Sequence, residues 1–300
     1  MPQGHLSYAL ITPARDEAEN IRRLSGCVVE QTARPSSWVI VDNGSSDGTL
    51  DLAQELARQH PWIHQATSPP GDRAQPGQPI VRAFHTGLAE LDPVDVVVKL
   101  DADISMAPDY FERLLNAFAG DPTLGIASGQ CYEENDGEWC PTHVTGGHVR
   151  GATRAWRWDC LQAVLPLDAT VPCVMDLVDE LKATALGWRT GIVPDLRFFH
   201  HRSVGERDGG SSVRWARQGR AAYYVGYRFW YLAARVLFRA YRNPAAVAML
   251  RGYAGAWLHR EPRCDDPNVV QELRRRQSLR SFPVRIREAL GRASPEVHPT

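Results

Sequence analysis

Two carboxylates stand two residues apart in Asp101-Ala102-Asp103, at the end of the apolar run Val94–Leu100. Paired carboxylates at a strand end can share one hard divalent cation with the oxygens of a bound phosphate, and Mg²⁺ or Mn²⁺ suits such a set. The tripeptide alone says little, since roughly one Asp-x-Asp arises by chance in a chain of this length. Its place directly after VVVKL is what makes it a candidate. A second carboxylate, Asp42, closes the run WVIVD and opens the turn Asn43-Gly44-Ser45-Ser46-Asp47-Gly48-Thr49. Asp42 can accept from a base imide or a ribose hydroxyl; the same residues also make an Asx turn with a helix cap.

These groups need elements to hold them. Leu6–Thr12 is a strand-forming run ended by Pro13, and Asp16–Glu30 follows as a helix with Ile21, Leu24 and Val28 on one face. Trp38–Asp42 is a second buried strand, and Thr49 is the expected N-cap of a helix through Arg58. A Pro- and Gly-rich loop, Ser68–Pro79, leads to a helix over Ile80–Leu91 and a third strand over Val94–Leu100. Pro108 is expected at the first position of the next helix, with Phe111, Leu114, Leu115 and Phe118 as its apolar stripe. Alternating strands and helices predict an α/β fold with a mostly parallel sheet covered on both faces. Ligands in such sheets lie at the carboxyl ends of the strands, where Thr12, Asp42-Asn43 and Asp101/Asp103 are found. Further on, Ala155–Val164 and Asp176–Leu186 are expected as helices, the latter closed by Gly187. Arg189–Val193 and Leu196–His200 are expected as strands.

The bulk properties are those of an ordinary globular protein: 300 residues, 43% apolar and 23% charged. The near-zero net charge hides an asymmetry. Residues 1–200 carry 15 basic and 27 acidic side chains, and residues 201–300 carry 19 and 8. The basic back favours an anionic surface. Six cysteines, none in a Cys-x-x-Cys pair, fit a reducing cytosol, and a cytoplasmic location is expected. The start MPQGHLSYAL lacks a leader pattern, and no run of about 18 uncharged apolar residues predicts a spanning helix. Cys131, Cys140, His143 and His148 follow no common zinc spacing.

Taken together, Ile11-Thr12-Pro13-Ala14-Arg15-Asp16-Glu17-Ala18-Glu19-Asn20-Ile21, IVDNGSSDGT, KLDADIS, GHVRGATRAWRWDC, the Asp176 region and PDLRFFHH resemble family 2 glycosyltransferases of the GT-A fold in order and spacing. The resemblance runs over about residues 7–201. Two positions depart from it: Asp16 replaces the family's usual Asn, and Asn43 its second strand-end Asp. The resemblance implies a catalytic domain over 1–205, with a nucleotide-sugar half (about 1–105) and an acceptor half (about 106–205). It implies that Pro13, Arg15 and Glu17 line the nucleotide pocket with Asp42 on the base and Arg82 nearby. Asp101 would face ribose and metal, Asp103 the metal and diphosphate, and His200 would be a further metal ligand or a diphosphate contact. Mn²⁺ or Mg²⁺ is the implied cofactor. Gly151 and Ala152, after Gly146-Gly147-His148, would approach the donor sugar or the acceptor.

An inverting transfer also needs a base for the acceptor hydroxyl, on the face away from the leaving diphosphate. In the family this carboxylate stands some eleven residues before a Gly-aromatic pair. Counting back from Gly187-Trp188 gives Asp176, with Asp179 second, on the same helical face. The same acids would equally complement a helix dipole. The implied partners are a UDP- or GDP-type nucleotide-diphospho-sugar donor and a glycan or lipid-linked acceptor.

Residues 206–300 fall outside these motifs and are expected to be helical. On one helix over 214–242, Arg214, Arg217, Arg220, Arg228, Arg235, Arg239 and Arg242 fall within an arc of about 120°. Trp215, Tyr223, Phe229, Trp230, Val236, Leu237 and Tyr241 lie opposite, unless Gly219 and Gly226 break the helix. This pattern suits peripheral contact with an anionic membrane at the inner face of the cell membrane, or packing of the aromatic side on the catalytic domain. Nucleic acid is not an expected partner, since no binding module accompanies the arginines. Three rival readings remain. A nucleotidyltransferase would begin with a Gly-rich loop rather than Pro-Ala-Arg-Asp-Glu. An inactive scaffold has no need of Asp101, Asp103 and Asp176. A processive synthase would carry Trp where Ser281 follows Gln277-Ser278-Leu279-Arg280.

Overall fold

In the computed structural model, residues 6–70, 78–135, 137–142, 148–171, 174–202, 211–241 and 243–289 are described. Nine strands form one sheet. The first half alternates strand and helix: β1 (Tyr8–Ala14), α1 (Ala18–Val29), β2 (Ser37–Asp42), α2 (Thr49–Gln59), β3 (Ile63–Thr67), α3 (Gln78–Ala89) and β4 (Val96–Leu100). These four strands are parallel, in the order β3-β2-β1-β4. Val39, Val41 and Ile11 face one helical layer; Tyr8, Leu10, Trp38 and Ile40 face the other. Both faces are covered, so the strands read as continuous apolar runs.

The sheet continues with β8 (Thr153–Arg157), β6 (Leu124–Asn135), β9 (Arg189–His200) and β5 (Ile104–Met106), with β7 (Glu138–Pro141) on β6. β8 is antiparallel to both β4 and β6. Helices α4 (Tyr110–Gly120), α5 (Trp158–Val164) and α6 (Met175–Ala185) pack on this half.

Several expectations are corrected here. Ala155–Val164 is not one helix: residues through Arg157 form β8, and only Trp158 onward is helical. Thr153, Arg154, Ala155 and Trp156 are all buried, so a central strand covered on both faces shows no alternation. The two strands expected over 189–200 are one strand with register shifts against β6. Thr12 is not a strand-end site group; it lies inside β1, where its hydroxyl accepts from the Trp38 indole N–H at 2.9 Å. Helix α4 begins after Asp109, two residues beyond the Pro108 start. Gly48, not Thr49, stands at the N-cap of α2.

The C-terminal region is a set of packed helices: α7 (Ser211–Tyr224), α8 (Phe229–Ala240), a short 3-10 turn, α9 (Ala248–Leu258), α10 (Pro267–Arg276) and α11 (Phe282–Ala289). The expected helix over 214–242 is therefore two helices, broken at Gly226 in the left-handed region with φ +81. Arg242 lies outside the described residues. Trp215 and Val236 from the aromatic side are buried in a cluster of C-terminal residues rather than on the catalytic domain, and Tyr223 is buried beside Tyr253 of α9. Phe229, Leu237 and Tyr241 are exposed instead. One core cluster joins α6 residues Val178 and Leu181 to Tyr224, Val269 and Leu273, so the C-terminal helices pack on the first domain.

Candidate active site

The turn after β1 and the turn after β2 are built as one unit. Asp16 N–H donates to Ser45 Oγ at 3.0 Å, Glu17 N–H to Thr49 Oγ1 at 2.8 Å, and Ala18 N–H to Asp47 Oδ2 at 3.0 Å. These N–H groups at the start of α1 have no partner in their own helix, and the neighbouring turn supplies one for each. Thr49 thus caps the wrong helix by the sequence expectation. Asp16 returns the favour, accepting from Ser46 N–H at 2.8 Å, which holds its carboxyl below the usual range. Asp42 is 4% exposed and accepts from Gly44 and Ser45 N–H at 3.1 and 3.3 Å. Its carboxylate closes the turn, so a base contact would require that turn to open. Pro13 and Arg15 are half-buried at the end of β1, and Arg82 is exposed on α3.

β4 delivers the Asp101/Asp103 pair into the same end of the sheet. Lys99 is buried in a strand otherwise made of Val and Leu; its ammonium donates to Asp101 Oδ1 at 2.5 Å and Gly151 O at 2.9 Å. Those two acceptors are what make burying the charge tolerable. Asp103 Oδ1 lies 3.1 Å from His200 Nε2, and its Oδ2 lies 3.4 Å from Arg202 Nη1. Arg202 also donates both its Nη1 and Nη2 to Glu17, at 2.9 and 2.8 Å. Glu17, Asp103, His200 and Arg202 therefore meet, from three separate stretches of chain.

Burial pushes the Asp101 carboxyl up; Lys99 opposes this and Asp103 adds to it. Burial also acts on Asp103, but His200 and Arg202 outweigh it and hold that carboxyl low. His200 is raised to about 9, because Asp103 and Glu133 overcome its own burial. Two carboxylates and an imidazole nitrogen suit Mn²⁺ or Mg²⁺ as a donor set, so the residues fit the implied ion.

Asp176 stands in the first turn of α6. A Cβ on Gly151 would run into Asp176 Oδ2, so glycine is required for the two to approach. Asp176 Oδ1 is buried with no hydrogen-bond partner among the described residues. Such an acceptor costs free energy unless something supplies its proton or donor. Gly151 O takes Lys99, and Ala152 O accepts from Asp101 N–H at 2.8 Å. The 151–152 segment thus joins the Asp101 side to Asp176.

Asp179 does not share that role. It is 1% exposed, chelated by Arg154 at 3.0 and 2.7 Å, and accepts from Trp156 Nε1 at 2.9 Å. Its oxygens are committed to anchoring α6 on β8, which removes it as a candidate base. Arg154 also donates to the carbonyls of Val149 and, at 2.8 Å, Asp176. Gly146 and Gly147 lie outside the described residues. Among the described residues Cys140 and His148 belong to no group of metal-ligating side chains; His148 Nδ1 lies 2.9 Å from Glu180, and His143 lies outside the described residues.

Lys99, Arg202 and Arg154 were not singled out in the sequence. Lys99 had a signal: one charge inside a buried apolar strand, two residues before Asp101 and so on its face. Arg202 and Arg154 had none beyond adjacency to named motifs.

A parallel sheet extended by antiparallel strands, with an Asp-x-Asp turn between β4 and β5, defines the GT-A class of nucleotide-sugar-binding folds. The chain belongs to glycosyl transferase family 2, whose profile residues 9–160 match, just over half of the 300. A polyprenol monophosphomannose synthase of Mycolicibacterium smegmatis is 33% identical over 153 residues, 50% of this chain and 48% of that protein. The chain thus matches about half the length of that relative. The mannosyltransferase PcManGT of Pyrobaculum calidifontis, solved with GDP-Man and Mn²⁺, superposes with TM-score 0.55 at 17% identity, covering 95% of this chain and 84% of that one. GalNAc-T7, solved with UDP, GalNAc and Mn²⁺, gives TM-score 0.57 at 14% identity over 74% of this chain and 48% of that one. At these identities both structures speak to fold alone.

Proposed function

We propose that this chain is an inverting glycosyltransferase that moves a sugar from a UDP- or GDP-type donor to an acceptor hydroxyl. The observation that carries the reading is that Gly151, whose carbonyl takes Lys99 beside Asp101, lies against Asp176, whose Oδ1 has no partner among the described residues. Asp101, Asp103 and His200 would hold Mn²⁺ or Mg²⁺, which when bound offsets charge growing on the leaving diphosphate. Arg202, fixed by Glu17, adds a cation beside Asp103. Asp176 accepts the hydroxyl proton, and Gly151 lets substrate and carboxylate meet without a side chain between them. Pro13, Arg15 and Glu17 line the nucleotide side.

The polyprenol-linked relative favours a second reading, a lipid phosphate as acceptor. A phosphate oxygen is already ionised and needs no base, so Asp176→Asn separates the two. A hydroxyl acceptor predicts a loss of transfer of at least about a hundredfold, with donor binding kept. A phosphate acceptor predicts near-wild-type transfer. The assay offers labelled GDP-mannose and UDP-sugars with Mn²⁺ and either polyprenol phosphate or a glycan, and follows label into the lipid or glycan fraction. No transfer from any donor to either acceptor would sink the proposal.

A membrane surface is the proposed setting. No helix among the described residues is long and apolar enough to cross a membrane. Phe229 and Leu237 on α8 and Trp257 and Leu258 on α9 are large, apolar and exposed, in a region rich in arginine.

A further inference from the structure

Strands β6 and β9 are parallel neighbours, with Glu133 paired to His200 and Cys131 to Phe198. Cys131 and Glu133 are two residues apart on β6, so they share a face, and His200 stands opposite Glu133 on that face. One ligand atom from each of the three lies within 4.8 Å of the others. His200 Nδ1 points to Glu133 Oε1 at 4.0 Å and is buried without a hydrogen-bond partner among the described residues. The thiol belongs to no disulfide and has no place in the transfer chemistry.

We propose that Cys131, Glu133 and His200 form a second cation site, for a thiophilic ion such as Zn²⁺, which antagonises the cation at Asp101/Asp103. Sulfur, nitrogen and one carboxylate oxygen are the donors of a tetrahedral zinc site, with the fourth position left to water. The thiol sets it apart from the oxygen-rich neighbour, since thiolate selects soft ions that Mg²⁺ and Mn²⁺ do not resemble. Binding breaks the Cys131 S–H bond and the His200 Nδ1–H bond of the protonated ring, forms the S–metal and N–metal bonds, and releases these protons to solvent. Glu133 must also give up part of its 3.0 Å contact with Arg150.

The antagonism follows from the imidazole. A neutral ring has one lone-pair nitrogen. An ion on Nδ1 places the proton on Nε2, which then donates to Asp103 and is lost as a ligand for the cation there. The two sites share one neutral histidine, so a soft ion on Nδ1 would compete with the cation at Asp101/Asp103.

Cobalt(II) reports on this directly, because thiolate ligation gives a charge-transfer absorption in the near ultraviolet that oxygen and nitrogen ligands do not. The full chain is titrated with Co²⁺ in excess Mg²⁺, as wild type, Cys131→Ser, Cys140→Ser and Glu133→Gln. The expected result is the thiolate band in wild type and Cys140→Ser, none in Cys131→Ser, and weaker binding with the band kept in Glu133→Gln. Zn²⁺ added to wild type should raise the Mn²⁺ concentration needed for nucleotide binding, and in Cys131→Ser that effect should be lost. Absence of the band in wild type, or the same band in Cys131→Ser, would overturn the proposal. Nucleotide binding with Mn²⁺ alone, measured on the same samples, stands or falls separately, so failure of this site is distinguishable from failure of the transferase reading.

Discussion

Asp176 and Asp179 differ by one turn of helix and by almost everything else. Asp179 is filled by Arg154 and Trp156, while Asp176 keeps an unsatisfied oxygen against Gly151. Asp179→Asn should therefore lower stability first, by about 3 kcal/mol, because it leaves Arg154 buried beside a neutral partner. Thermal unfolding of the two asparagine variants checks this: Asp176→Asn should unfold near wild type and Asp179→Asn well below it. Gly151→Ala should lower kcat by about tenfold or more, since the new methyl displaces Asp176 or the carbonyl that holds Lys99. Steady-state kinetics with a fixed acceptor would show it, and an unchanged kcat would mean the approach is incidental. Asp101 and Asp103 were legible because they follow the apolar run of β4, whereas Asp176 was reached only through the family resemblance, by counting back from Gly187-Trp188. The sequence hid Arg202 and Lys99, whose roles depend on which distant carboxylates the fold brings to them.

At the scale of elements, α6 is clamped from behind. Glu180 is 1% exposed and lies 2.9 Å from His148 Nδ1; it accepts from Val149 N–H at 3.1 Å and from Arg276 of α10 at 3.0 Å. Arg276 also reaches Glu272 and Thr184. A C-terminal helix thereby fixes the segment that presents Gly151 to Asp176. His148 and Arg276 hold the Glu180 carboxyl down to about 2 against its burial. A depressed carboxyl pKa stabilises the fold above the ordinary glutamate value, and that contribution drains away as pH falls from about 4.5 toward 2. Melting temperatures across that window should fall less steeply for Glu180→Gln, from a lower starting point; parallel curves would contradict the clamp. Arg276→Ala should cost about 3 kcal/mol and lower kcat more than it raises the donor KM. The helices of the first half were legible from their apolar period. Strands β6 and β8 were not: β8 is buried on both faces, and Arg154 within it is tolerated only because Asp179 awaits it.

The whole molecule sets an acidic first 200 residues against a basic helical back. The arginines of the back are largely occupied: Arg235 bonds Gln218, Arg220 pairs with Glu261, and Arg263 lies over the Tyr223 ring. A single helical wheel over 214–242 could not show this, because the break at Gly226 and the packing of α7 on α9 redistribute both faces. Large apolar side chains are exposed there beside arginines such as Arg228, Arg251 and Arg260, and they give the membrane reading its test. Wild type should float with anionic vesicles at low salt, and the pair Leu237→Asp with Trp257→Asp should stay in solution; equal flotation would contradict contact through these residues. The central claim, however, is a metal-dependent nucleotide-sugar site at Asp101 and Asp103. The most direct measurement is thermal stabilisation by UDP, GDP, dTDP and CDP, each with and without Mn²⁺, on wild type and Asp103→Ala. Ligands that bind the folded state raise its melting temperature by mass action. A metal-dependent site at Asp101 and Asp103 gives a rise with one nucleotide that needs Mn²⁺ and vanishes in Asp103→Ala. No rise with any nucleotide, or a rise that survives without metal and without Asp103, would contradict it.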